Sequence, residues 1–183
     1  MKSQKMIFVL VGLLAAGFLV WLLFDFFGIQ ALFINKTVDE SVPGIVTSTS
    51  TAPSAKLPAG YSGPLVIADG TFEQGDSAYS IKGKATITEE NGVRTLSLTD
   101  FDVSNGPDLF VYLVRASDAK NLTVKDAVGK GAFVNLGALK GNQGNQTYIL
   151  PDGLELDGEY VVSIWCKRFF RNFGSAELSF RAY

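Results

Sequence analysis

The sequence has no histidine and only one cysteine among its 183 residues. Histidine is the commonest metal ligand and the commonest general base in proteins, so its absence disfavours most metal centres and excludes a Ser-His-Asp triad. A single cysteine excludes an internal disulfide. The two methionines, Met1 and Met6, precede the region that is predicted below to fold, so they cannot serve there as axial ligands.

Neither sign of charge dominates, because 16 basic and 18 acidic side chains leave a net charge of −2. Surfaces that bind nucleic acid are usually strongly basic, so nucleic acid is not an expected partner. The sequence contains no phosphate-binding loop motif, and it gives no pair of carboxylates that can be assigned to a cleft. These absences favour a protein that is not a stand-alone enzyme.

One long hydrophobic run is present, at residues 6–24, directly after Lys2 and Lys5. An α-helix of this length spans about 28 Å, which matches the hydrocarbon core of a bilayer. The apolar character continues beyond Asp25, and no small-residue cleavage site follows, so the run is unlike a signal peptide. Residues 1–35 are therefore predicted to be a transmembrane anchor, in which residues 26–34 either extend the span or lie in the interface.

The two lysines before the hydrophobic run also predict the orientation of the chain. Positive charge next to a membrane helix favours the cytoplasmic side. The interpretation is a single-pass membrane protein with a cytoplasmic N-terminus and a C-terminal domain that is periplasmic or extracellular. The membrane itself is thus the first expected partner.

Beyond the anchor, the composition changes twice. Residues 36–63 are rich in Ser, Thr, Pro and Ala and are predicted to be a flexible linker. Residues 64–183 show short alternating runs separated by turn signals such as Asn91-Gly92. About eight such runs, without a sustained helical period, predict an all-β fold, an antiparallel β-sandwich or jelly-roll-like domain. Its last two strands are predicted at residues 160–169 and 176–182.

The only cysteine, Cys166, lies in the predicted strand at residues 160–169. Alternation places it with Val162 and Ile164 on an apolar face toward the core, and Trp165 toward solvent. A free cysteine is most often a small buried hydrophobe. A thiolate also ligates metals or haem, or exchanges electrons as a thiol, so both interpretations of Cys166 stay open.

Oxygen-bearing side chains concentrate around an Asn-Gly-Pro sequence, where Asp100, Asp102 and Asp108 are candidate metal ligands. Calcium prefers such oxygens. An EF-hand loop that starts at Asp100 requires glutamate at position 111, and the residue there is Val111. The favoured alternative is a turn in which the aspartates accept hydrogen bonds from free amides.

Several short stretches follow one another in a fixed order between Gly70 and Leu178. They are Gly70-Thr71-Phe72, Leu96-x-Leu98-x-Asp100-Phe101, Asn105-Gly106-Pro107-Asp108-Leu109-x-Val111-Tyr112-Leu113, Leu136-Gly137-x-Leu139-Lys140-Gly141-Asn142-Gln143-Gly144-Asn145-Gln146-x-Tyr148, Leu150-Pro151, Val162-x-Ile164-Trp165-Cys166-x-x-Phe169 and Phe173-Gly174-x-Ala176-x-Leu178. As an ordered set, these stretches resemble the electron transfer DM13 domain, a relative of the DOMON β-sandwich domains.

The resemblance implies an extracytoplasmic β-sandwich with a signature cysteine that takes part in redox chemistry, and Cys166 occupies that position. It leaves the cofactor open, with a haem or a metal held through Cys166 as the candidates. The resemblance also implies a histidine, in many similar sequences, where Tyr79 stands; if that histidine is a cofactor ligand, this chain lacks it. The predicted function is a membrane-anchored electron-transfer module with a redox or cell-surface protein partner. The alternative is a non-enzymatic binding or adhesion module in which Cys166 is structural.

Overall fold

The computed structural model describes residues 2–26, 34–43, 63–76, 78–116 and 124–181. Most of the predicted linker, residues 36–63, lies outside the described residues. The same is true of residues 27–33, which belong to the stretch expected to extend the membrane span or to lie in the interface.

The N-terminal part of the chain is a helix, α1 (Lys2–Trp21), continued by a π-helical turn, Leu22–Phe26. The segment Gln4–Phe24 has a mean hydropathy of 2.8, and none of it is buried within the protein. It is long and apolar enough to cross a bilayer. The prediction of one long apolar N-terminal helix is confirmed.

The rest of the described chain is mostly β-strand, with one short helix. Eight strands have four residues or more and two have only two residues, which agrees with the predicted number of about eight. In chain order the elements are β1 (Leu65–Thr71), β2 (Glu73–Gln74), β3 (Ile81–Glu90), β4 (Val93–Val103), β5 (Leu109–Ala116), α2 (Val124–Gly129), β6 (Phe133–Ala138), β7 (Gln146–Ile149), β8 (Glu159–Cys166), β9 (Arg171–Glu177) and β10 (Ser179–Phe180).

These strands form two five-stranded sheets, and every pair of named strands is antiparallel. The first sheet has the order β10-β1-β3-β4-β7, and the second has the order β2-β9-β8-β5-β6. One core cluster takes its side chains from both sheets, among them Ile87, Leu98, Leu113 and Ile164. The predicted all-β sandwich is confirmed.

Local sequence explains the longest hairpin, β3–β4. Asn91 and Gly92 join its strands with φ angles of 52° and 79°, a conformation that these two residue types tolerate best. Alternation then places Leu96 and Leu98 in the core, as predicted. A register shift between Lys82 and Lys84 marks a bulge at Gly83, where φ is 122°.

The second sheet is covered on both of its faces, which corrects the prediction for Trp165. Its outer face carries a second cluster that includes Tyr112, Val114 and Trp165, together with Ala127 and Val128 of α2. Trp165 was expected to point to solvent, but it is only 1% exposed. The prediction was wrong because α2, a non-local element, packs over a face that alternation alone assigns to water.

The last two long strands also begin and end elsewhere than predicted. β8 ends at Cys166, residues 167–170 form a turn, and β9 starts at Arg171, which pairs with Cys166. The turn contains neither glycine nor proline, and Phe170 adopts a φ of 52°. A positive φ is unusual for a bulky aromatic residue, so residue type did not reveal this turn.

A short N-terminal segment, residues 35–40, is hydrogen-bonded to the sandwich. The amide of Val38 donates to the carbonyl of Gln143 at 2.9 Å, and the amide of Glu40 donates to the carbonyl of Asn145 at 2.9 Å. The predicted linker starts at residue 36, inside this bonded segment. A segment of this kind escapes composition analysis because it is held by its backbone rather than by apolar side chains.

Candidate functional site

Cys166 is the last residue of β8, between Leu109 of β5 and Arg171 of β9. Its exposed fraction is 0%, and it belongs to the core cluster together with Val162 and Ile164. The predicted inward orientation of these three residues is therefore confirmed. The thiol lies at the end of the strand, where the chain turns, rather than in the middle of the sheet.

The surroundings of the thiol hold it in its neutral form. Burial raises the pKa of Cys166, and the carboxylate of Asp108 raises it further. Backbone hydrogen bonding by Phe169, Arg168 and Asp108 opposes these effects without reversing them. A protonated thiol is a poor nucleophile, so Cys166 in this conformation is shielded chemically as well as sterically.

The turn that follows Cys166 closes this end of the β8–β9 hairpin. The amide of Lys167 donates to the carbonyl of Asp108 at 3.0 Å, which joins the turn to the start of β5. The ring of Phe170 meets that of Trp165 edge-on, with centroids 4.9 Å apart. Access to the sulfur through this end of the sheet therefore requires a movement of residues 167–170.

Tyr79, where the resemblance implies a histidine, packs against an aromatic residue. Its ring stacks on that of Phe173 with centroids 3.7 Å apart and an angle of 12° between the planes. Phe173 is itself buried, at a register shift where Ile164 pairs with Gly174 and Trp165 pairs with Asn172. A stacked aromatic pair thus occupies the place of a candidate ligand.

The residues around Cys166 do not fit a haem or a metal ion. Haem ligation requires a sulfur that the iron can reach and a cleft for the macrocycle, whereas Cys166 has no exposed surface. Within the residues that the structure describes, no three or more His, Cys, Asp or Glu side chains are grouped so as to hold a metal.

The three aspartates that were candidate metal ligands are not brought together. Asp100 and Asp102 line an open groove of about 420 Å³, whereas Asp108 does not line it. Asp102 forms an ion pair of 3.4 Å with Lys82. The amide of Asp100 donates to Oδ1 of Asn145 at 3.2 Å. Asp100 and Asp102 therefore lie in β4 rather than in the turn that was the favoured interpretation, and only Asp108 lies in the turn before β5.

A buried polar network that the sequence did not reveal lies at the start of β7. Gln146 is 0% exposed, and its Oε1 accepts from the hydroxyl of Tyr148 at 2.8 Å and from the amide of Lys140 at 3.1 Å. Its Nε2 donates to the carbonyl of Gly141 at 2.9 Å. Burial raises the pKa of Tyr148 to about 12, so this phenol remains a hydrogen-bond donor. The network fixes the loop of residues 140–145.

Glu40 attaches the N-terminal segment to the same region. Its carboxylate accepts from Nζ of Lys140 and from the amide of Thr147, each at 2.8 Å. The hydrogen bond from Lys140 is the largest of the effects that lower the pKa of Glu40. The only sequence signal for this contact was a lone glutamate in the segment that was assigned to the linker.

Comparison with known proteins gives one positive result. A family model described as electron transfer DM13 matches residues 71–178, which is more than half of the chain. The matched region starts at the last residue of β1, continues past β9, and includes Cys166, Gln146 and the groove. No curated protein and no solved structure shows a match.

Proposed function

Because the chain belongs to the electron transfer DM13 family, we propose that it is a membrane-anchored, extracytoplasmic electron-transfer module that acts through Cys166. The observation that carries the proposal is the position of this cysteine inside the matched region, at the end of a central strand. It is the only thiol in the chain. The apolar helix Gln4–Phe24 supplies the anchor.

The proposed chemistry is thiol–disulfide exchange with a partner protein. The Cys166 thiol loses its proton, and the thiolate attacks a disulfide of the partner. A sulfur–sulfur bond forms between the two proteins while the partner's own disulfide breaks and releases one thiolate. This chain has no second cysteine, so a thiol of the partner or of a third molecule must resolve the mixed disulfide.

Because Cys166 is buried and its pKa is raised, exchange requires the turn at residues 167–170 to open first. This requirement makes the thiol selective, since it reacts only with a partner that binds to or displaces the turn. The same burial favours the competing candidate, a binding or adhesion module with a structural cysteine. In that case the groove beside Asp100 and Asp102 is a natural contact surface.

Trapping experiments in cells separate the two candidates. Cells that express the full chain are treated with an alkylating agent that freezes exchange, and their proteins are separated without reductant. We expect a mixed-disulfide adduct with the wild type and none with Cys166→Ala. Absence of any adduct, combined with full biological activity of Cys166→Ala, would assign the protein to the binding class. A haem or metal–thiolate absorption band in the purified protein would contradict the conclusion that the residues around Cys166 do not fit either group.

The stabilities of two Cys166 variants keep that test interpretable. Cys166→Ala removes one sulfur atom from a packed site and is expected to cost about 1–2 kcal/mol in the free energy of unfolding. Cys166→Ser should cost more, because a buried hydroxyl needs a hydrogen-bond partner among apolar neighbours. Denaturant titration of both variants measures the costs. A serine variant more stable than the alanine variant would show that the site is wetter than its burial indicates.

The proposed topology has its own test. With tags at both ends of the chain, a protease added to intact cells or spheroplasts should remove the C-terminal tag and leave the N-terminal tag intact. The reason is that Lys2 and Lys5 favour a cytoplasmic N-terminus. Permeabilised cells, in which both tags are cut, provide the control. Cleavage of only the N-terminal tag in intact cells would reverse the orientation.

A further inference from the structure

The turn after β8 carries two aromatic and two basic side chains, and all four are exposed. Phe169 is 50% exposed and Phe170 is 43% exposed. Of the other aromatic residues of the domain that the structure describes, all except Phe180 belong to the two clusters. Lys167 and Arg168 precede them directly. Two adjacent phenylalanines at the surface cost free energy in water, so this exposure calls for a partner.

The structure holds these rings at the surface. A left-handed backbone conformation at Phe170 turns its ring edge-on against Trp165. Nζ of Lys125 lies 6.0 Å from the centroid of the Phe170 ring, and Nζ of Lys167 lies 5.7 Å from that of Phe110. Aromatic rings and cations therefore lie side by side on one surface, which we call the aromatic–basic turn (residues 167–170 with Lys125).

The charge of this surface is opposite to that of the rest of the domain. Acidic side chains outnumber basic ones over residues 64–183, yet Lys125, Lys167, Arg168 and Arg171 lie in or next to the turn. Acidic groups near them, among the residues that the structure describes, are Asp76, in an ion pair of 3.8 Å with Arg171, Asp108, just before β5, and Asp126 on α2. The tip itself, residues 167–170, contains no acidic residue.

We propose that the aromatic–basic turn docks in the headgroup region of an anionic lipid bilayer, with Phe169 and Phe170 inserted and the cations on lipid phosphates. Rings flanked by lysine and arginine are the usual composition of interfacial membrane contacts. Two half-exposed rings supply much less area than the roughly 800 Å² per partner of a stable protein interface. A bilayer requires no complementary shape.

The same chain carries a helix that is long and apolar enough to cross a bilayer. A surface contact too weak to bind membranes alone becomes effective when a second membrane signal in the same molecule supplies the local concentration. Lipid docking goes beyond the proposed electron transfer and requires no reaction of Cys166, although it engages the same turn, residues 167–170, that must open for exchange.

The test uses the full chain in nanodiscs whose lipids are brominated in the upper acyl region, with and without phosphatidylglycerol. In a Trp21→Phe background, Phe169→Trp places an indole at the tip while keeping an aromatic ring at an exposed position. The matched control is Ile149→Trp, because Ile149 is also exposed, at 71%, but lies on β7. The Trp21→Phe protein without a further substitution measures the background fluorescence of Trp165.

We expect the fluorescence of the indole at position 169 to be quenched well above that at position 149. This difference should appear only in anionic nanodiscs, and high salt should abolish it. Lys167→Gln combined with Arg168→Gln should lower the ratio of docked to undocked protein roughly 30-fold, because each cation near an anionic surface contributes about 1 kcal/mol. Equal quenching at both positions, or equal quenching in neutral and anionic nanodiscs, would overturn the proposal. A blue-shifted but unquenched indole at position 169 would indicate a protein contact instead and would equally overturn it.

Discussion

Native Cys166 is expected to react with a maleimide at least about a hundredfold more slowly than Cys166 of the urea-unfolded chain. Its exposed fraction is 0%, and burial raises its pKa, so both the access and the thiolate fraction are low. The chain has one cysteine, so the mass increase on labelling reports this position alone. Rates are measured at several pH values, because a raised pKa moves the onset of reactivity to higher pH.

A matched control separates protection from the general behaviour of the protein. Val93→Cys in a Cys166→Ala background places the only thiol at an exposed hairpin position, and it should react at nearly the unfolded rate. Phe170→Ala, which removes the ring against Trp165, should raise the native rate of Cys166 by loosening the turn. A native rate equal to the unfolded rate would mean that the hairpin end is open in solution.

The second large effect is expected at Gln146. Gln146→Ala should lower the free energy of unfolding by about 3 kcal/mol, since it creates a cavity and removes hydrogen bonds from buried donors and an acceptor. The amide of Lys140, the hydroxyl of Tyr148 and the carbonyl of Gly141 each lose one hydrogen bond. The amide of Lys140 keeps a bond of 3.2 Å to the hydroxyl of Tyr148. Few single substitutions outside the apolar core should cost as much.

Gln143→Ala is the matched control, because it removes the same side chain three residues earlier in the loop. That side chain is only partly buried, and its contact with Thr37 is 3.5 Å long and exposed, so the expected loss is within about 0.5 kcal/mol. Denaturation midpoints of the full-length variants in one detergent compare the two. Similar losses would show that the Gln146 network contributes nothing beyond ordinary loop packing.

The parts of the fold that could be predicted are those that depend on local periodicity. Alternation identified Leu96 and Leu98 as core residues and Cys166 as inward-facing, because side chains change face at every residue of a strand. Asn91-Gly92 identified a hairpin, because these residues tolerate positive φ. Each of these features is decided by neighbours in sequence.

The missed features depend on partners far away in sequence. Trp165 is buried because α2 packs over its face, and the sequence of β8 contains nothing that predicts this packing. The turn at residues 167–170 forms without glycine, asparagine or proline because the pairing of Cys166 with Arg171 imposes it. Gln146 resembles any polar loop residue until the carbonyl of Gly141 and the hydroxyl of Tyr148 surround it.

The contact between Glu40 and Thr147 has a consequence for the growth of the sheet. β7 is the edge strand of the first sheet, and an edge strand with free backbone donors is a template for pairing with another chain. The carboxylate of Glu40 accepts the amide of Thr147, which a strand from a second molecule would otherwise bind. Residues 35–40 thus block the pairing of a further strand at this edge, end the sheet at five strands and disfavour edge-to-edge aggregation.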